Sequence, residues 1–179
     1  MGKKYELTEE TKEFYGRTLH RIKALKNFGD VEVGDLGGYI ESESNLIQEG
    51  CAWVYGDAMV FDNAKVCGDA MVFDNAKVYG DAMVFDNAKV RGNAKVFDNA
   101  KVFGNAEIKG NTDYMVFKNW WSSRRYFTWT RSNNMWKVGC FYGTGKELVE
   151  KANKDSELSG REYERVVKYV KSILADEKK

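Results

Sequence analysis

The chain contains no proline and only one histidine, His20, among its 179 residues. Its three cysteines, Cys51, Cys67 and Cys140, are odd in number and lack Cys-x-x-Cys spacing. This excludes a disulfide framework and a cysteine-based zinc site. A single histidine also excludes a zinc centre built from three histidines. We therefore expect no metal and no cofactor.

A charge imbalance and a long apolar run are also missing. With 28 basic and 27 acidic residues the net charge is +1, which gives no reason to expect a polymeric nucleic-acid partner. No apolar run is long enough to span a bilayer, and the N-terminal residues Met1-Gly-Lys-Lys-Tyr-Glu-Leu are too polar for a secretory leader. These features predict a cytoplasmic protein without a membrane partner.

What the chain does contain is a six-residue repeat over residues 36–113. An alanine, an aliphatic residue two positions later, and a Gly/Asp/Asn turn recur in each unit, with the aliphatic residue at Val54, Val60, Val66, Val72, Val78, Val84, Val90, Val96, Val102 and Ile108. In an extended segment Ala and Val face the same side, and the turn residues tolerate a bent corner. Period six fits no helix, so the repeat predicts a parallel β-helix of stacked coils.

Three hexads per coil give about 18 residues per coil and roughly four coils. The stretch Gly-Asp-Ala-Met-Val-Phe-Asp-Asn-Ala-Lys-Val occurs three times without change, from Gly56, Gly68 and Gly80. Such identity indicates a scaffold, because a specialised site needs one coil to differ from its neighbours. Residues 1–35 precede the repeat and read as a small β-hairpin or meander that covers the first coil. Residues 114–179 follow it as a β-hairpin and two helices.

The segment 114–146 has the most unusual chemistry in the chain. It holds four of the five tryptophans, several arginines and lysines, and no acidic residue. Arginine forks bind phosphate or carboxylate, and tryptophan faces stack on bases or cations. The candidate ligand-binding residues are Trp120, Trp121, Arg124, Arg125, Trp129 and Arg131. The alternative is that the aromatic residues form the core of a cap, with the arginines solvated or paired to acidic groups of the C-terminal helices.

The chain resembles a family of hexapeptide-repeat proteins common in phage and prophage genomes, usually labelled transferases. The resemblance covers nearly the whole chain and is carried by Tyr5-Glu-Leu-Thr, Phe28-Gly-Asp-Val, Glu43-Ser-Asn-Leu, the segments 16–25, 34–41 and 140–144, and the hexads. It implies left-handed coiling and a homotrimer. Such folds host enzymes and non-enzymatic proteins alike, so the resemblance leaves the activity open.

Hexapeptide acyltransferases typically use a histidine on a coil or coil loop as general base. Here His20 precedes the coils, and no long loop leaves a coil to form an acceptor pocket. Acidic residues at the corners are explained by turn chemistry. We therefore predict no catalytic residue.

Large outward side chains on a small prism favour self-association. Stacking at 18 residues places them on the faces of a homotrimer interface, at Trp53, Tyr55, Phe61, Phe73, Tyr79 and Phe97. The leading hypothesis is a phage-associated homotrimer that binds a small anionic nucleotide-type host signal at subunit interfaces and sequesters it. The alternatives are an acyl- or nucleotidyl-transferase and a structural or protein-interaction scaffold.

Overall fold

The computed structural model describes residues 2–177. The fold is a three-sided β-solenoid with a hairpin at its N-terminal end and a four-stranded antiparallel sheet followed by two helices at its C-terminal end. The strands before the repeat are β1 (Tyr5–Phe14) and β2 (Arg17–Ala24). The coils contain β3 (Leu36–Ile40), β4 (Trp53–Val54), β5 (Met59–Val60), β6 (Lys65–Val66), β7 (Met71–Val72), β8 (Lys77–Val78), β9 (Met83–Val84), β10 (Lys89–Val90), β11 (Lys95–Val96), β12 (Lys101–Val102) and β13 (Glu107–Ile108).

The predicted stacking at 18 residues is confirmed. The three sides run β3-β5-β8-β11, β4-β7-β10-β13 and β6-β9-β12, all with parallel pairing. Val54, for example, lies opposite Val72, and Val72 lies opposite Val90. The repeat alanines and valines are fully buried, as the alternation of an extended chain requires. The left-handed sense of coiling stays a prediction.

Corner residues alternate between glycine and aspartate, and this alternation links successive coils. Asp62 has a φ of +58°, and its carboxylate accepts a hydrogen bond of 3.1 Å from the backbone N–H of Gly80, one coil below. The same bond joins Asp74 to Gly92 at 2.8 Å and Asp86 to Gly104 at 3.2 Å. A twelve-residue cassette read in an 18-residue coil places glycine under aspartate at these corners.

The N-terminal hairpin covers one edge of the first coil, in agreement with the prediction. Strand β2 pairs antiparallel with β3 and so extends one side of the solenoid. On the other two sides, side chains donate hydrogen bonds to backbone carbonyls of the first coil. Lys4 Nζ donates to the Ala52 carbonyl at 2.9 Å, and Asn45 Nδ2 donates to the Ala64 carbonyl at 2.9 Å. Buried backbone acceptors at this end are therefore satisfied.

The buried Lys4 predicts a rise in stability with pH. Burial lowers the pKa of its amine from 10.5 to about 8. Between those values the unfolded chain binds more protons than the folded chain, so the free energy of unfolding should increase as pH rises above about 8. Above pH 10 the free energy of unfolding should fall again. The reason is that burial raises the pKa of Tyr5 above its usual value and the pKa of Tyr114 to about 12.

Urea unfolding at pH 8.0 and 9.5 checks this expectation. The gain in stability should be present in the wild type and lost in Lys4→Met. Lys3→Met is the matched control, because Lys3 is exposed and pairs with Glu43 at 2.7 Å. A wild-type stability that is flat over this interval, or a rise that survives in Lys4→Met, would contradict the assignment.

The last coil is capped by side chains from the C-terminal segment. One oxygen meets one strand N–H on each side: Asn111 Oδ1 accepts from Lys95 N (2.9 Å), Thr128 Oγ1 from Lys101 N (2.9 Å) and Ser132 Oγ from Glu107 N (2.7 Å). These bonds satisfy backbone N–H groups that would otherwise remain unpaired at the open end of the last coil. They also fix the C-terminal sheet against the end of the solenoid.

The C-terminal sheet has more strands than the predicted hairpin. It contains β14 (Tyr114–Lys118), β15 (Tyr126–Thr130), β16 (Met135–Val138) and β17 (Phe141–Thr144), paired in that order. Gly139, with a φ of +56°, turns the chain between β16 and β17. The helices are α1 (Gly145–Asp155) and α2 (Glu157–Asp176), capped by Thr144 and Ser156. The apolar stripe in the sequence predicts a second helix that opens at Ser159 or Gly160, two or three residues after its observed start at Glu157. Neither helix has the length and apolar character needed to cross a membrane.

Candidate ligand-binding site

Two of the six predicted ligand-binding residues have side chains that form hydrogen bonds within the chain. Trp129 is fully buried between the sheet and the helices, and its Nε1 donates to Asn134 Oδ1 at 2.9 Å. Arg131 forms two bonds to the Glu177 carboxylate, at 2.5 and 3.0 Å. Both contacts form because β15 lies in a middle layer. The helices pack on one face of the sheet, and the end of the solenoid lies against the other face. Trp129 thus belongs to the core, and Arg131 to an ion pair with the end of α2.

The other four predicted residues lie on the loop between β14 and β15. Trp121 packs edge-to-face on Tyr163 of α2, with ring centroids 4.9 Å apart. Trp120 is 67% exposed, and Arg124 and Arg125 are exposed as well. Arg124 has a φ of +57°, a conformation that non-glycine residues seldom adopt. The loop is thus fixed by Trp121 while it presents Trp120 and the two arginines to solvent.

Asn119 holds the start of this loop against α2, although no pattern in the sequence marks this residue. Its side chain is buried, Nδ2 donates to the Tyr163 hydroxyl at 2.9 Å, and Oδ1 accepts from the backbone N–H of Ser122 at 2.8 Å. Its own N–H donates to the Arg125 carbonyl at 2.9 Å. Asn119 therefore ties both ends of the loop together and positions the backbone of Arg125.

A cleft of about 410 Å³ lies between this loop, the C-terminal sheet and the two helices. Its chemically informative lining residues are Arg125, Tyr126, Lys151, Asp155, Ser159 and Tyr163. Within residues 2–177 neither the Arg125 guanidinium nor the Lys151 ammonium has an ion-pair partner, in contrast to Arg131. Two cations, one carboxylate and two phenol rings thus converge on one cleft. This combination suits a ligand with an anionic group, a flat ring and a hydroxyl or N–H donor.

Sequence reasoning found only Arg125 among the charged residues of this cleft. Lys151 and Asp155 are on α1, and Tyr163 is on α2, all of them more than 20 residues along the chain from Arg125. Their helical periodicity marks Tyr163 as a core residue and Lys151 as a solvated one. Only the folding of the helices onto the sheet brings them beside Arg125.

The predicted interface residues Trp53 and Phe61 are covered within the chain. Trp53 is 1% exposed and packs against Tyr5 and Phe28, while Phe61 is 4% exposed and packs against Phe14. The expectation that they present an outward patch was wrong, because the N-terminal hairpin and the 25–35 connection lie over them. The remaining residues, Tyr55, Phe73, Tyr79 and Phe97, are half-buried in stacks along the corners.

His20 and three corner aspartates make contacts within the chain. His20 lies on β2, half-buried, with Nδ1 3.3 Å from the Thr8 carbonyl oxygen. The carboxylates of Asp62, Asp74 and Asp86 accept the corner N–H bonds described above. Across residues 2–177 the structure contains no cluster of three or more His, Cys, Asp or Glu side chains that could hold a metal ion.

Comparison with known proteins places these observations in context. The chain is 36% identical over 73 residues to the "Uncharacterized acetyltransferase YdcK" of Escherichia coli (strain K12). The protein is a hexapeptide-repeat β-solenoid with a transferase-like relative. The match covers 36% of this chain and 22% of the relative, so it spans about a fifth of that protein's length. No protein-family profile matches the chain.

Proposed function

We propose that this protein binds a small anionic ligand carrying a flat ring in the cleft beside Arg125, and that it does so without transforming the ligand. The observation that carries the proposal is the convergence of Arg125 and Lys151, neither of them ion-paired within the described chain, with Tyr126 and Tyr163 in one cleft. Charge-assisted hydrogen bonds from the cations would hold a phosphate or carboxylate. A tyrosine ring would stack on the flat part of the ligand, and Asp155 would accept a hydroxyl or N–H donor.

A nucleotide-type molecule has all three of these chemical features. Together with the resemblance to phage proteins, this supports the finer proposal that the protein sequesters a host nucleotide signal in the cytoplasm of an infected cell. Mass spectrometry of small molecules released from protein purified out of such cells tests it, followed by calorimetry with cyclic and ADP-ribose-type nucleotides. Binding of at least one of them in a one-to-one ratio per chain is expected. No binding by any nucleotide would favour the scaffold alternative.

A transferase activity is the second candidate, favoured by the name of the Escherichia coli relative. Such an enzyme needs a general base, and His20 is the one histidine in the sequence. Because His20 lies on the N-terminal hairpin and the Arg125 cleft lies at the opposite end of the solenoid, we expect His20→Ala to leave ligand binding unchanged. Acetyl transfer from acetyl-coenzyme A, reduced a hundredfold or more in His20→Ala, would instead support the transferase.

We also propose that the protein is a homotrimer, as the resemblance implies. The half-exposed edges of the corner aromatics Tyr79 and Phe97, and the 88% exposed Tyr15 at the hairpin tip, support an association of chains side by side. Light scattering at micromolar concentration should give three times the chain mass of 20.5 kDa. The mass of a single chain would contradict the proposal.

A further inference from the structure

The aromatic residues at the solenoid corners form ladders in which each ring covers the next. The longest ladder runs from Phe14 of the hairpin through Phe61 and Tyr79 to Phe97. The Phe61 and Tyr79 rings are 5.0 Å apart with an angle of 1° between their planes, and the Tyr79 and Phe97 rings are 5.3 Å apart at 10°. Faces inside the ladder are therefore occupied, and only the last ring can accept another stacking partner.

The three ladders end differently. In the second ladder Phe85 stacks on Phe103, and the ammonium of Lys137 lies 4.2 Å from the centre of the Phe103 ring. In the third, Tyr55 stacks on Phe73, and the next coil places Arg91 at the same corner. Phe97 differs from both. No further ring or cation covers it within residues 2–177, and it borders a cleft of about 650 Å³ whose far side contains Tyr114 and Tyr126.

Asp98, the residue after Phe97, also lacks a hydrogen-bond partner, because the chain leaves the solenoid before the next coil can provide one. The other three aspartates with a positive φ, Asp62, Asp74 and Asp86, each bind the N–H of a glycine 18 residues later. For Asp98 that position is Val116, which has left the solenoid and, as part of β14, pairs with Thr128 of β15. Within the described chain the Asp98 carboxylate has no hydrogen-bond partner, and it lines the cleft below Phe97.

From these two unfilled positions we infer a second binding site, for an uncharged heteroaromatic ring that carries an N–H or amino donor. The ligand's ring occupies the position that the next aromatic side chain of the ladder would take, and it stacks on Phe97. The ligand's N–H or amino donor occupies the position of the absent glycine N–H and binds the Asp98 carboxylate. The ladder geometry fixes the relation between the two contacts, because at two other corners the ring and the N–H come from adjacent residues, Tyr79-Gly80 and Phe103-Gly104. Nucleobases and related amino-substituted rings have this chemistry.

The polar groups around the site agree with this class of ligand. Asn111 uses its Oδ1 to cap Lys95 N, and this leaves its amide nitrogen as a donor, while Asn99 contributes another side-chain amide. The Asp98 carboxylate disfavours an anionic group close to the ring. The site therefore differs in chemistry from the Arg125 cleft, and it does not rest on the proposed function, although Tyr126 borders both clefts.

Calorimetry with uncharged nucleosides tests the inference on the full chain. The probes are adenosine, guanosine and cytidine, which carry an amino group, together with purine riboside, which does not. At least one amino-bearing nucleoside should bind in a saturable manner. Phe97→Leu should weaken that binding about tenfold or more, the effect expected for loss of one base–aromatic stack. Phe73→Leu, at the end of another ladder, is the matched control and should change it less than twofold.

Asp98→Asn separates the hydrogen bond from the stacking. Asparagine tolerates the φ of +54° at this corner, so the variant keeps the fold and removes only the charge. It should weaken binding of the amino-bearing nucleoside about tenfold and leave purine riboside unaffected. The inference is overturned if no nucleoside binds, if Phe97→Leu and Phe73→Leu have equal effects, or if the two nucleoside types respond alike to Asp98→Asn. Loss of nucleoside binding in Arg125→Ala but not in Phe97→Leu would assign these probes to the Arg125 cleft instead.

Discussion

Replacing Gly80 with alanine is expected to lower the free energy of unfolding by about 2–5 kcal/mol. Gly80 has a φ of +68°, which costs an alanine about 1–2 kcal/mol. An added Cβ would also lie 2.8 Å from the backbone nitrogen of Asp98 in the next coil. Backbone atoms held by two neighbouring coils move only at a cost of about 1–3 kcal/mol. Urea unfolding followed by circular dichroism measures the loss.

Two other glycines separate the contributions to this effect. Gly92 has the same φ of +68°, but its added Cβ would approach the Lys109 carbonyl oxygen only to 3.3 Å. Gly92→Ala should therefore cost about 1–2 kcal/mol, from backbone strain alone. Gly110 has open space around it and no positive φ, so Gly110→Ala should stay within about 0.5 kcal/mol. Equal losses in Gly80→Ala and Gly92→Ala would show that the spacing of the coils does not limit the side chain at these corners.

Replacing Arg125 with alanine is expected to weaken binding of an anionic ligand by about ten- to a hundredfold. A charge-assisted hydrogen bond contributes roughly 1.5–3 kcal/mol, and Arg125 has no ion-pair partner within residues 2–177 that would compete for it. The midpoint of thermal unfolding should not fall, because the side chain is exposed. Calorimetric titration with the tightest nucleotide of the panel gives the change in affinity.

Arg124 and Arg131 provide matched controls in the same segment. Arg124 is exposed and does not line the cleft, so Arg124→Ala should change affinity by about 0.5 kcal/mol or less, provided that the fold is retained. Arg131→Ala should leave affinity unchanged and lower stability slightly, through loss of the pair with Glu177. If all three variants weaken binding equally, the ligand is attracted by general charge and not by the cleft.

The coils could be predicted from the sequence because each hexad repeats the same local physics. Alternation placed Ala and Val inside, and the 18-residue register followed from three hexads per coil. The covering of Trp53 and Phe61 could not be predicted in this way. It depends on the pairing of β2 with β3 and on contacts to Tyr5 and Phe28, which join residues far apart in sequence.

The same limit applies to the candidate site. Arg125 and Arg131 lie six residues apart in similar surroundings, and nothing local distinguishes a solvent-exposed cation from a paired one. The difference arises because Glu177, 46 residues further on, is brought to Arg131 by α2. Trp129 likewise looks like a binding residue until the helices cover it. The cleft itself exists only once Lys151 and Tyr163 have packed beside Arg125.

Binding without transformation at the Arg125 cleft is tested by incubating the protein with the tightest-binding nucleotide and then quantifying, after denaturation, how much ligand is recovered and in what chemical form. We expect saturation near one ligand per chain in the wild type, recovery of the ligand unchanged, and little retention by Arg125→Ala. Conversion of many equivalents of ligand per chain would instead identify the protein as an enzyme.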